Sequence, residues 1–233
     1  MLESLKKEVL LANIELVKQK LVIFTWGNVS GIDRKEGVVA IKPSGVQYDR
    51  LKPNDIVLVD LEGRVVEGNL KPSSDTPTHL ELYKSFKGIS GICHTHSKFA
   101  TIWAQLNKGI QCLGTTHADH FYGEIPVTDL LTPEQLKNYE KNIGYSIVEK
   151  FKEKNPLWVP GVLVAKHGPF TWGESPMKSV ENAAILEYIA ELAFCCELFS
   201  KENKIIDESL LNKHFFRKHG KNAYYGQSND KKI

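Results

Sequence analysis

Two imidazoles separated by one residue, His94-Thr-His96, are the sharpest chemical feature of this sequence. In an extended strand, residues two apart point to the same face. Two imidazoles so placed repel when protonated and leave ring nitrogens to satisfy when buried. They are well suited to chelating a divalent metal. The apolar approach Ile89–Cys93 speaks against a merely exposed pair. A third imidazole, His167, follows the apolar run Val162–Ala165 in Lys166-His-Gly-Pro169, a turn that leaves a core strand. Taken singly it would be an ordinary turn residue. A catalytic zinc uses about three protein ligands and keeps one position open. His94, His96 and His167 make such a set. Asp75, Glu81 and Asp119 are each candidates for an additional carboxylate ligand.

Other polar clusters suit an oxyanion. Lys42-Pro-Ser-Gly45 leaves a strand, Ser73-Ser74 precedes a helix start near Thr76, and Gly27-Asn-Val-Ser-Gly31 reads as a third polar glycine turn. Hydroxyls, amides beside glycine and a helix N-terminus are phosphate donors. Each stretch alone is ordinary turn chemistry, but beside a metal cluster they suggest a small phosphorylated substrate. Gly114-Thr-Thr-His-Ala-Asp-His-Phe-Tyr-Gly123 gathers two imidazoles, a carboxylate and a phenol. Asp119 in it is a candidate metal ligand or general acid/base.

The elements that must position these groups read as follows. Leu5, Val9, Ala12 and Leu16 recur at helical spacing. Val38–Ile41, Ile56–Val59, Gly91–His96 and Val162–Ala165 read as strands. Thr132-Pro-Glu-Gln135 is a capping box before a helix with Leu136, Tyr139, Ile143 and Ile147 on one face. Ser175-Pro176 opens a long helix predicted to bury Ile185, Ile189, Leu192, Cys196 and Phe199. Asp207 caps a last helix ended by Gly220, and the tail from Gly226 is expected to fray. Short glycine connections, such as Glu62-Gly63, favour a mixed or antiparallel sheet covered by helices over a doubly wound parallel sheet.

The chain has 233 residues, 42% hydrophobic and 25% charged, with a net charge of +2. That length suits one sizeable domain. The charge balance excludes a strongly basic nucleic-acid binder and a highly charged disordered chain. No apolar run approaches the roughly 20 residues of a membrane span. No glycine-rich nucleotide motif occurs. The N-terminus reads as mature and unexported, and the four cysteines include no C-x-x-C, so a reduced, cytoplasmic protein is expected.

Several of these stretches, quoted together, resemble the L-ribulose-5-phosphate 4-epimerase branch of the class II aldolase/adducin-like family. They are Gly27–Gly31, Lys42–Gly45, Lys71-Pro-Ser-Ser-Asp-Thr76, His94-Thr-His96, Gly114–Asp119, Pro160–Phe170 and Arg217–Gly226. The resemblance spans roughly residues 5 to 227. It implies a three-layer α/β domain over residues 1–227, with a central, mostly antiparallel sheet flanked by helices and a disordered tail at 228–233. It implies zinc on His94, His96 and His167 with Asp75 as a further ligand; manganese or cobalt would also suit imidazole. It implies a phosphate cradle of Asn28, Lys42, Ser44, Gly45, Ser73 and Ser74, with Thr115 and His214 in support. Asp119 and Tyr225 would be the acid/base pair, Tyr225 from a neighbouring subunit of a homotetramer with active sites at subunit interfaces. Glu140 resembles another supporting carboxylate without an assigned role. The implied reaction converts L-ribulose 5-phosphate to D-xylulose 5-phosphate by breaking and re-forming C3–C4, in pentose or L-ascorbate catabolism, with no nucleic-acid or membrane partner. Alternatives are a sugar 1-phosphate aldolase, such as one acting on L-fuculose 1-phosphate, and a non-enzymatic adducin-like interaction module, which would be expected to lack the histidines.

Overall fold

Side chains that alternate between two apolar layers define the sheet at the centre of this computed structural model, which describes residues 2–200, 202, 204–220 and 223–225. Val39, Val57, Val59 and Ile92 join the larger core cluster, while Ala40, Leu58, Val29 and Cys93 point the other way into two smaller clusters. That period of two is the strand repeat. The seven strands are β1 (Asn28–Asp33), β2 (Val38–Ile41), β3 (Val57–Asp60), β4 (Val65–Glu67), β5 (Gly91–His94), β6 (Gly161–Leu163) and β7 (Pro169–Gly173). They run in the order β4-β3-β2-β1-β5-β7-β6. Every ladder between them is antiparallel.

The helices are α1 (Leu2–Lys18), α2 (Thr76–Ser85), α3 (Lys98–Gln105), α4 (Thr115–Ala118), α5 (Tyr139–Lys150), α6 (Pro176–Phe199) and α7 (Glu208–His219). α1 buries Leu5, Val9, Ala12 and Leu16 as its spacing predicts, against β1, β2 and α6. α2 packs on α5 over the larger core cluster. Asp207 accepts a hydrogen bond from Leu210 N and caps α7, which Gly220 ends. The result is the expected α/β architecture of a mostly antiparallel sheet between helical layers.

Several expectations need correction. Gly27-Asn-Val-Ser-Gly31 is not a glycine turn, because Asn28 begins β1 and pairs with β5. The strand that starts at Gly91 stops at His94, so His96 lies beyond it. The strand over Val162–Ala165 is Gly161–Leu163, and Val164 already belongs to the turn that carries His167. The capping box at Thr132 and Gln135 forms, but it opens a 3-10 turn, Gln135–Asn138, and α5 starts only at Tyr139. Leu192 is exposed beside the buried Ala193, and Cys196 and Phe199, which follow the last buried position of α6, are exposed as well. Of the expected face, Ile189 is buried and Ile185 partly so, and the helix also buries Val180, Ala183, Leu186, Ala190 and Ala193. The tail at 228–233 lies outside the described residues. Among the described residues, no helix is long and apolar enough to cross a membrane.

Candidate functional site

Sheet register lays down the floor of the site. Asn28 on β1 is paired with His94 on β5, and His94 with Phe170 on β7. Residues directly opposite in antiparallel strands share a face, so these three side chains form one row on the side covered by α2. Phe170 stacks on the His94 ring at 4.1 Å between centroids. Gly27 lets β1 begin this close to β5. Its φ is +76°, and a Cβ there would lie 2.8 Å from the His94 carbonyl oxygen. Gly168 has the same task in the His167 turn, where a Cβ would meet the Thr95 carbonyl at 2.7 Å.

The three imidazoles predicted from spacing converge. His94 Nε2 lies 3.2 Å from His96 Nε2 and 3.0 Å from His167 Nε2. Metal–nitrogen bonds of about 2.0–2.1 Å in a tetrahedron separate ligand nitrogens by roughly 3.3–3.4 Å, so the set is close to that spacing. The outer ring nitrogens support it. His94 Nδ1 donates to the Pro169 carbonyl at 2.9 Å, which leaves Nε2 as a bare acceptor. His167 Nδ1 lies 3.0 Å from the Tyr139 hydroxyl. Burial, reinforced by the neighbouring His94, pushes His96 down to about 4 and His167 down to about 3. Both rings are therefore neutral near pH 7, the state a metal requires. The donor set fits a divalent transition metal.

Asp75 is the N-cap residue of α2, yet its side chain caps nothing. Its Oδ2 accepts a 2.6 Å hydrogen bond from Asn28 Nδ2 instead. Burial raises the carboxyl, but nearby His94 and His79 and the Asn28 bond outweigh burial and hold it below the ordinary range. It lines the same cavity as the imidazoles. Glu81 does not: it faces a separate cavity beside Lys84 and Lys141.

That shared cavity, about 360 Å³, brings the expected phosphate-binding groups to the imidazole cluster: Asn28, Lys42, Ser44, Gly45, Ser73 and Ser74. An isolated bridge between Pro43 and Pro72, with Ser44 N donating to Lys71 O and Ser73 N to Lys42 O, ties the two hydroxyl loops together. Lys42 is buried, and Nζ donates only to the carbonyls of Thr25 and Pro43, above the Tyr48 ring. No carboxylate among the described residues pairs with it. Burial lowers it to about 8. A buried ammonium without a counter-ion is costly, and an anionic substrate group would relieve that cost.

The cavity also holds residues that pattern reading missed. Tyr139 reads in the sequence as one apolar position of an amphipathic face, but it begins α5 and meets His167. Trp26 stands edge-on to His96 at 6.2 Å. Only its place beside Gly27-Asn28 hints at this. Glu140, which the resemblance marked without a role, lines the cavity as well.

Asp119, Thr115, His214 and Tyr225 do not line it. Asp119 ends α4 and is gripped by α7: Oδ1 accepts from His214 Nδ1 at 3.0 Å, and Arg217 Nη2 reaches Oδ2 at 2.8 Å. Burial raises its carboxyl, but the Arg217 and His214 bonds outweigh that and keep it ionised. The Tyr225 ring covers Arg217 and Lys218, with centroid distances of 4.8 and 4.5 Å. Both expected proton-transfer groups thus sit together on one patch of this chain.

The sequence profile of the class II aldolase and adducin N-terminal domain family matches residues 7–194. Solved structures agree on the fold. An L-fuculose 1-phosphate aldolase superposes with a TM-score of 0.78 at 26% identity, covering 91% of this chain and 94% of its own. An L-fuculose-1-phosphate aldolase of Thermus thermophilus superposes at 0.67 with 24% identity, covering 87% and 100%. YgbL of Escherichia coli, a candidate aldolase, epimerase or decarboxylase, superposes at 0.73 with 22% identity, covering 91% and 97%.

Proposed function

The chain belongs to the class II aldolase and adducin N-terminal domain family, and from that premise we propose that it is a metal-dependent epimerase acting at C4 of L-ribulose 5-phosphate. The observation that supports this is one cavity uniting three convergent imidazoles with a buried, unpaired Lys42 and two hydroxyl loops. Lys42, Ser44, Ser73, Ser74, Asn28 and the Gly45 amide are the phosphate cradle. The product is D-xylulose 5-phosphate.

C4 of this ketose bears no acidic proton, because the carbonyl is at C2. Inversion therefore requires that C3–C4 break and re-form. Deprotonating the C4 hydroxyl starts the cleavage. Protonating the new aldehyde oxygen, once the aldehyde has turned over, completes the return. Zinc or a similar cation on His94, His96 and His167, with Asp75 beside them, supplies Lewis-acid stabilisation of the developing negative charge. His94 and His167 are oriented for this by Pro169 and Tyr139. The phosphate cradle keeps the aldehyde fragment from leaving, which is what separates an epimerase from an aldolase. Asp119 and Tyr225 are the acid/base groups, and Thr115 and His214 support them. Tyr225 is supplied by a neighbouring subunit of a homotetramer, with the sites between subunits. Exposed Leu198 and Phe199, the latter 91% accessible, are the kind of apolar surface that assembly covers.

The test is a coupled assay of the zinc-loaded protein on L-ribulose 5-phosphate. It scores D-xylulose 5-phosphate, free dihydroxyacetone and glycolaldehyde phosphate. Epimer without free fragments supports the reading, and Asp119→Asn should then keep its metal but lose most turnover. Free fragments in quantity, or cleavage of a sugar 1-phosphate instead, would favour the aldolase reading to which the L-fuculose 1-phosphate aldolase likeness points.

A further inference from the structure

Buried polar atoms without partners are rare in native proteins. Two of the few among the described residues, His79 Nε2 and Asn28 Oδ1, belong to the layer directly beneath the metal cavity. His79 is fully buried one helical turn after Asp75, and its backbone N–H donates to the Asp75 carbonyl. Side chains four apart on a helix share a face. Asn28 and Ser30 likewise share one face of β1. The two faces meet, for Asn28 holds the Asp75 carboxylate while Ser30 Oγ lies 2.7 Å from His79 Nδ1.

The tautomer of His79 follows from its neighbours. Tyr83 is buried, and its hydroxyl lies 2.8 Å from Ser30 Oγ, the one side-chain acceptor it reaches. A buried phenol places its proton on its acceptor, so Tyr83 donates to Ser30. The Ser30 hydroxyl then donates to His79 Nδ1. The imidazole proton must therefore sit on Nε2, a buried donor without a partner. Asn28 Oδ1 is a buried acceptor without one. Asn28 Nδ2 is committed to Asp75 and Ser73, so the amide oxygen is the end left without a partner.

We propose that His79 is a positioning residue whose Nε2–H, set by the Tyr83–Ser30 relay, serves the Asn28–Asp75 pair and fixes how that carboxylate stands beside the three imidazoles. Donation runs from Tyr83 through Ser30 to His79 and, separately, from Asn28 to Asp75; the unpartnered His79 Nε2–H is the group that would join the two halves at Asn28 Oδ1. It gives the Asp75 carboxylate one orientation rather than several. The Phe170 ring, edge-on to His79 and stacked on His94, holds the same layer in register. This inference rests on the reading of His94, His96 and His167 as a metal site.

Two substitutions separate positioning from mere packing. The side-chain amide of glutamine reaches the place of an imidazole Nε2, and that of asparagine the place of Nδ1. His79→Asn therefore keeps a partner for Ser30 and loses the Nε2 donor, while His79→Gln does the reverse. Zinc affinity is read by competition with a chromogenic chelator, and thermal unfolding is read alongside. The expected result is a roughly 10–100-fold loss of affinity in His79→Asn, the usual range for losing an outer partner of a metal site. His79→Gln should stay within about threefold of wild type, whatever its melting temperature. Ser30→Ala keeps the imidazole but frees its tautomer, and it should weaken zinc in the same direction. Equal zinc affinity in wild type, His79→Asn and Ser30→Ala would overturn the proposal and leave the metal site standing. A wild-type protein that binds no cation would overturn the metal reading itself, and this inference with it.

Discussion

Replacing Lys42 with methionine should stabilise the free protein while removing its hold on phosphate. Burial depresses the Lys42 ammonium from 10.5 to about 8. At about 1.4 kcal/mol per pH unit, that depression corresponds to about 3 kcal/mol of destabilisation near pH 7. Methionine fills much of the same space without the charge. Against the gain stand the bonds to the Thr25 and Pro43 carbonyls, at about 1 kcal/mol each. The net gain is about 1 kcal/mol, or a rise of about 2–4 °C in melting temperature for a chain of this size. The pH dependence gives the prediction its signature. Between pH 8 and 10.5 the unfolded chain holds the Lys42 proton and the folded chain releases it. Wild-type stability therefore climbs through that window by about 3 kcal/mol, so the advantage of Lys42→Met is lost by about pH 9 and reversed above it. Thermal melts at pH 7 and pH 9.5, with and without inorganic phosphate, test both halves. Phosphate should raise the wild-type midpoint at pH 7 by mass action and leave Lys42→Met unmoved. A variant that melts lower than wild type at pH 7 and is still stabilised by phosphate would refute the argument.

Three further outcomes are expected. Tyr139→Phe removes the hydroxyl that meets His167 Nδ1, so zinc affinity by chelator competition should fall about 10-fold or more; an unchanged value would mean that Tyr139 does not orient the ring. Gly91→Ala would put a Cβ 2.2 Å from the Ser175 carbonyl oxygen, and a loss of at least about 1–3 kcal/mol is expected in urea unfolding. Metal-free protein should lose stability as pH falls from about 6.5 towards 4. His79, His96, His117 and His167 are held at about 3 to 4 by burial when folded, and each takes up a proton readily only when unfolded; urea midpoints at pH 7, 5 and 4 that coincide would contradict this.

The legible parts of the fold were those with local causes. The apolar stripe of α1, the Ser175 and Asp207 caps and the turn around His167 are each fixed by residues a few positions apart. The misread parts had causes distant in the chain. Gly27–Gly31 has the composition of a turn, but Asn28–Gly31 pairs with β5 sixty or more residues away. Leu192, Cys196 and Phe199 continue an apolar helical stripe, yet Leu192 is exposed beside the buried Ala193, and Cys196 and Phe199 come after the last buried position of α6.

The candidate site divides along the same line. Residue type and spacing alone mark His94, His96 and His167 as candidate ligands, and Lys42-Pro-Ser-Gly45 with Ser73-Ser74 as a candidate anion cradle, because chelation and phosphate binding demand particular donors close together. Tertiary structure decided which groups meet. The antiparallel register sets Asn28, His94 and Phe170 in a row, and the Pro43–Pro72 bridge closes the two hydroxyl loops on each other. It also set Asp119 apart, since α7 returns across α4 and surrounds that carboxylate with His214, Arg217 and Lys218 from nearly a hundred residues later. Donor chemistry is a property of each side chain and can be read in one dimension. Distance between donors depends on how the whole chain buries its apolar surface, and only the packed sheet and helices fix it.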